Sequence, residues 1–205
     1  MTIPAKSVPP PRERIIDAAR DLFRKHGIRG IGVDAIADAA GSNKMTLYRH
    51  FGSKDDLLIA CIEKASLEAE SLWEELEKAH PGDAAAQLQD WVRRAGEFVT
   101  VDHGNCELLD AAAQLVESNH PAHYLIKESR RTHRLRLTQL CRNAGIAEAE
   151  LLVDALTLLI EGARVNWRCA GADGPSSRFV EVAEMVIKAF MDRPVSCVAH
   201  RLEMQ

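Results

Sequence analysis

Between Arg12 and Leu58, apolar residues recur at helical spacing while glycines at 27, 41 and 52 cut the run into short pieces. Such punctuation leaves room for several short helices and little else. Ile15, Ala18, Ala19, Leu22 and Phe23 fall at i, i+3, i+4, i+7 and i+8, one stripe of a first helix that starts near Arg12. Gly27 stops it after the basic Arg24, Lys25 and His26. Val33, Ile36, Ala37 and Ala40 make the inner face of a second helix, and Gly41 permits a sharp turn behind it. Asn43 is placed to cap a third helix by accepting from the amide of Met45 or Thr46, with Leu47 and Phe51 facing inward. Gly52 ends that helix, and Ser53 with Asp56 three residues on has the pattern of a capping box opening a fourth, from Lys54 to about Lys78.

Beyond Pro81 and Gly82 the pattern predicts further helices over roughly 84–101, 105–117, 121–144, 147–170 and 177–191, divided by breakers such as His103-Gly104, Asn119-His120-Pro121, Gly145 and the run from Gly171 to Pro175. Strand-like alternation is missing, and the apolar residues are mostly Ala, Leu, Ile and Val with few aromatics. The expected fold is all-α. Residues 1–11 carry four prolines, at 4, 9, 10 and 11, and are expected to form a disordered arm. The expected domains are a head over 12–58, with a helix-turn-helix at 32–51, and a helical body over 59–205.

Charge is distributed unevenly along the chain. The whole carries a formal net charge of -4, yet through Ala60 ten basic side chains stand against seven acidic ones. A basic head on an acidic body permits nucleic-acid binding without requiring it. The five cysteines (Cys61, Cys106, Cys141, Cys169 and Cys197) are widely spaced and form no C-x-x-C pair, as expected of reduced thiols. With no signal-type apolar segment at the start and no apolar run long enough to span a bilayer, a cytoplasmic protein with no membrane partner is expected.

Two helices joined by a tight glycine turn and backed by a preceding one make a tri-helical helix-turn-helix, whose last helix enters the major groove of DNA. The outward-facing residues of that helix are Lys44, Met45, Thr46, Tyr48, Arg49 and His50, a set of cations, hydroxyls and one apolar tip. The pattern resembles the TetR/AcrR (tetracycline-repressor) type of regulator in Arg14-Ile15-Ile16, Ala18-Ala19, Leu22-Phe23, Gly27, Ile36-Ala37, Ala40-Gly41, Thr46 through Phe51, Lys54 and Leu57-Leu58. That resemblance implies phosphate contacts from Tyr48, His50 and Lys54. Lys44, Met45 and Thr46, at the start of the recognition helix, are the candidates for base edges, Lys44 addressing guanine O6/N7 or a phosphate, and Arg49 completes the candidate DNA-binding set. Gly32 stands where relatives often have a hydroxyl cap, and Ser42 where they usually have an apolar residue.

The same resemblance implies an all-helical body that binds an effector and dimerises. Helices around 147–170 and 177–191 offer Leu152, Ala155, Leu159, Ile160, Ala163 and Val165, then Phe179, Val182, Val186, Ala189 and Phe190, more apolar surface than one small body needs. A homodimer covering this surface would suit a palindromic double-stranded operator, with recognition helices roughly 34 Å apart. Candidate lining for a pocket that takes a partly hydrophobic small molecule is Trp91, Phe98, Cys106, Leu109, Ala113, Tyr124 and Trp167, with Asp110 and Asn166 as polar anchors. His103 with Glu107, near His120 and His123, raises a metal-sensing alternative, but histidines beside helix ends more often cap them, and neither metal nor cofactor is expected. Lys127, Arg130, Arg131 and Arg134 read as a solvated basic face. No nucleophile elbow, metalloprotease motif, P-loop or dinucleotide fingerprint is present, so an enzyme is not expected, while a DNA-binding scaffold without ligand stays open.

Overall fold

A computed structural model describes residues 9–100 and 120–193, and all the regular structure among them is helical. The helices are α1 (Pro11–His26), α2 (Val33–Ala39), α3 (Lys44–His50), α4 (Lys54–Ala79), α5 (Ala84–Thr100), α6 (Pro121–Asn143), α7 (Ala149–Ala170) and α8 (Phe179–Met191), with 3-10 turns at Gly171–Asp173 and Pro175–Arg178. The helix expected near 105–117 lies outside the described residues. Pro11, assigned from sequence to the arm, is instead the first residue of α1. A proline there loses nothing, because the first amides of a helix have no internal acceptor and its fixed φ already suits the turn.

The chain divides into two compact units: residues up to Glu68 with 105–129, and 69–104 with the residues from Arg130 onward. The first unit is built on a core of Ile15, Ile16, Ala19 and Phe23 from α1, Ile36 and Ala37 from α2, Leu47 from α3, and Leu57, Leu58, Cys61 and Ile62 from α4. It therefore runs ten residues past the expected head boundary at Leu58. The start of α6 joins it too, through Ala122 and Ile126. Arg20 sets two 2.7 Å hydrogen bonds on Glu68, and Lys64 pairs with Asp17, so α1 and the first half of α4 are linked by charge as well as by packing.

The second unit packs Leu76, Leu88, Trp91, Val92, Leu137, Leu140, Leu152, Leu156, Phe179, Ala183 and Ile187 into one core. Helix α6 closes on Gly145 at φ 83°, the amides of Gly145 and Ile146 reaching back to Arg142 and Cys141. That Schellman pattern drops the apolar Ile146 into the core. Asp90 is a buried carboxylate; burial opposes its ionisation, but hydrogen bonds and charge from Arg93 and Arg94 prevail and hold it below its ordinary value.

Gly96 is where α5 meets α8 most closely. A β-carbon built on it would lie 2.4 Å from Val180 Cγ2 and 3.5 Å from Phe179 Cδ1. A Gly96→Ala variant should lose stability, because overpacking against stiff, β-branched Val180 (about 1–3 kcal/mol) exceeds the gain of about 1 kcal/mol in helix propensity. Thermal unfolding is expected to fall by several degrees; an unchanged or raised midpoint would mean that α5 and α8 separate readily.

Candidate nucleic-acid interface

The turn between α2 and α3 is made almost wholly of backbone. Gly41 takes φ 57°, and the amides of Gly41 and Ser42 donate to the carbonyls of Asp38 and Ala37, again a Schellman closure. Ser42 thus supplies the turn with a backbone amide that any non-proline residue there could give. Asn43 then caps α3, its side-chain oxygen accepting from the amide of Thr46 at 2.8 Å. Ser53 accepts from the Asp56 amide at 3.0 Å and donates to the Asp56 carboxylate at 2.8 Å, which opens α4 directly behind.

Seven residues make a helix too short to stand alone, so α3 holds its place by what it buries. Leu47 is its one buried residue, fully covered, and Phe51 seals the end at 3% exposure. Everything else points away from the core or along its edge. Lys44, Met45, Tyr48, Arg49 and His50 are exposed, Met45 to 85%, and Thr46 is half-buried. The structure thus gathers the sequence-predicted set, apart from Lys54, on one open helix face. Lys44 lies 3.1 Å from Asp34 of α2, both largely exposed. A pair of that kind is worth about 0–1 kcal/mol and does not hold Lys44 back from a stronger anion.

Two arginines that sequence reasoning left without a role frame this face. Arg14 donates from Nε to the Ala40 carbonyl at 3.1 Å, from one terminal nitrogen to Gly41 at 3.4 Å and from the other to Pro9 at 3.0 Å. It neutralises the C-terminal end of α2, where carbonyls crowd and a cation is favoured. Arg12 lies 5.3 Å from the centroid of the Phe51 ring, and the His50 ring lies 6.3 Å from the same ring. Arg14 belongs to the motif already noted, but its acceptors are carbonyls 26 and 27 residues away, which no residue type announces.

Lys54 is placed differently from the rest of the predicted set. Its ammonium donates to the carbonyls of Ile28 and Ile31, each at 2.5 Å, in the loop between α1 and α2, and lies 5.8 Å from the centre of the Phe23 ring. Burial pushes its pKa below the ordinary lysine value, partly opposed by Asp55.

A short capped helix set by a glycine turn against two others, with its polar face open, is matched over residues 15–61 by the model of the bacterial regulatory proteins of the tetR family. The chain belongs to the TetR family. Its TetR-type head is 39% identical over 57 residues to the HTH-type transcriptional repressor SCO4008 of Streptomyces coelicolor, covering 28% of this chain and 30% of that one. It is 34% identical over 96 residues to the HTH-type transcriptional repressor NicS of Pseudomonas putida, covering 44% and 45%. The chain thus spans less than half the length of these curated relatives. In fold the likeness extends further: the crystal structure of SCO4454, a TetR-family regulator of Streptomyces coelicolor, matches with a TM-score of 0.77 at 24% identity over 89% of this chain and 96% of that one.

The remaining candidates are spread across the TetR-type body. Cys106, Leu109, Asp110 and Ala113 lie outside the described residues. Trp91 is buried in the core of the second unit, its ring 6.0 Å from His133, which in turn lies 5.1 Å from Trp73. Burial pushes the His133 imidazole pKa down. Neither His133 nor Trp73 was singled out by sequence, though both fall on helix faces that turn inward. Phe98 is exposed, with the buried Arg164 guanidinium 5.7 Å from its ring centre. Asn166 is exposed and donates back to the Gly162 carbonyl at 2.9 Å, and Trp167 is half-buried. Tyr124 belongs to the first unit and is 67% exposed. His120 caps α6, its Nδ1 accepting from the amide of Ala122 at 3.1 Å, and no group of three metal-binding side chains occurs among the described residues. Arg134 pairs with Asp154 and Arg130 with Glu161, so part of the basic face of α6 is already balanced. Among the described residues no helix is long and apolar enough to cross a membrane.

Proposed function

We propose that the chain is a homodimeric DNA-binding transcriptional regulator, a repressor that leaves its palindromic operator when a small, partly hydrophobic molecule binds its helical body. The observation that carries this is α3 itself: one buried leucine, and an open face of Lys44, Met45, Tyr48, Arg49 and His50. Tyr48 and His50 address phosphates, Lys44, Met45 and Thr46 address base edges, and Arg49 serves on either side of that division. Repression as the sign of control is supported by the printed names of SCO4008 and NicS. Dimerisation is supported by Leu151, Leu158 and Val165 of α7 and Val182 and Met185 of α8, all exposed apolar side chains on two helices that pack together. Helix α4 contributes residues to both units, so an effector bound in the second acts on an element of the first. Linkage then requires DNA to weaken the effector by the factor by which the effector weakens DNA.

Substitutions on α3 test the reading through fluorescence anisotropy on duplex DNA across a series of salt concentrations. Arg49→Ala is expected to lower affinity and, if Arg49 meets a phosphate, to reduce the salt slope by about 0.9. Met45→Ala should leave the slope alone and narrow the preference among duplexes by about 1–3 kcal/mol. If both variants bound every duplex as the parent does, α3 would not be the DNA-contacting helix.

A further inference from the structure

We infer that Lys54 is a positioning residue for DNA binding, fixing the start of α2 in place of the side-chain cap that Gly32 does not supply. The inference rests on the reading of α3 as the DNA-contacting helix, and it assigns Lys54 an action through protein rather than through phosphate.

Lysine in the first turn of α4 is on the wrong end of that helix's dipole, where acidic residues such as its neighbours Asp55 and Asp56 belong. Its placement is explained outside α4. The loop from Gly27 to Gly32 holds three glycines in six residues and is costly to order. Ile28 and Ile31 pack against the core of the first unit, and their carbonyls both accept from the Lys54 ammonium at 2.5 Å. These are charge-assisted hydrogen bonds in a partly buried setting, stronger than neutral ones. The Ile31 carbonyl lies in the same rigid peptide plane as the amide of Gly32, so anchoring it fixes the entry into α2.

That entry has no other side-chain anchor. Gly32 is the N-cap residue of α2, with φ -85° and ψ 160°, and it makes no side-chain cap. Helix α2 is only seven residues long, so a floating start would be felt along its whole length and at the turn that launches α3. A β-carbon on Gly32 meets nothing within 4 Å, so a serine fits there without strain. A hydroxyl at that position would supply the missing cap locally.

The experiment is a double-mutant cycle of Lys54→Met and Gly32→Ser, with Lys54→Gln as a second single variant that loses the charge but keeps donors. The probe is a duplex enriched by the unmodified chain from a randomised pool, titrated by anisotropy over a range of salt concentrations. Lys54→Met is expected to weaken binding about tenfold with an unchanged salt slope, and Lys54→Gln to weaken it less, also with an unchanged slope. Gly32→Ser should raise affinity about fivefold more in the Lys54→Met background than in the parent, the size expected of one helix cap. A slope reduced by about 0.9 in either Lys54 variant makes Lys54 a phosphate contact and overturns the inference. Equal gains from Gly32→Ser in both backgrounds overturn it as well. If the Met variant fails to fold, the slope of the Gln variant decides. Amide exchange over Val33–Ile36 separates the two levels: faster exchange in Lys54→Met, restored by Gly32→Ser, upholds the anchor even if the unmodified chain enriches no duplex. In that event it is the DNA-binding reading that fails. Unchanged exchange removes the anchor.

Discussion

Exchanging Leu158 for Glu should leave the chain folded and monomeric, and lower its affinity for a two-site operator by about 10²–10⁴-fold. Leu158 is 74% exposed on α7, seven residues after Leu151 and seven before Val165, both also exposed. Residues at that spacing lie along one side of a helix, and Met185 at 66% exposure and Val182 continue the apolar surface on α8. A symmetric pairing sets each protomer's copy of such a patch against its partner's. Two carboxylates introduced there would be desolvated and close to one another, a penalty that a helix-pair interface does not absorb. Within a single chain Leu158 touches little of the core, so the substitution should leave helical content as it is. Losing the second head removes an effective concentration near millimolar, which is the source of the loss on DNA. Sedimentation and anisotropy together check the expectation. A variant that stays dimeric would place the interface elsewhere.

Leu47→Ala should cost about 2–5 kcal/mol and abolish DNA binding at ordinary temperature, although Leu47 points away from DNA. It is fully buried and is the one side chain through which seven-residue α3 enters the core, beside Ile36 and Phe51. Emptying that site leaves a cavity under the turn, and neither the Asn43 cap nor the Gly41 closure replaces the lost contacts. Amide exchange should rise over α2 and α3 while the second unit, which shares none of this core, keeps its protection. Full retention of DNA binding and of protection in α3 would show that the helix is held by something other than Leu47.

The placement of α1 to α4 was legible because glycine and capping residues mark their ends in the sequence: Gly27, Gly41, Asn43 and Ser53 each stand where the backbone requires them. Pro11 was misassigned because a proline reads as a breaker, yet at the first helical position it fits. Contacts to backbone carry no such mark. Arg14 reaches Ala40 and Gly41, and Lys54 reaches Ile28 and Ile31, through carbonyls that every residue possesses. Ala122 and Ile126 join the head core from more than sixty residues beyond α4's first turns, a distance that periodicity cannot bridge. Spacing also fails to tell one side of a body helix from another. Trp91 and Phe98, two turns apart on α5, prove buried and exposed respectively.

The most direct test of α3 as a reader of DNA is selection of binding sites by the full chain from a randomised duplex pool, followed by titration of the enriched duplex over a range of salt concentrations. The expected result is a pair of inverted half-sites with centres about 34–36 Å, one helical turn, or a multiple of it apart. Affinity for that duplex should fall steeply and linearly on a log-log scale as salt rises. Enrichment of no sequence, together with binding that does not respond to salt, would contradict it.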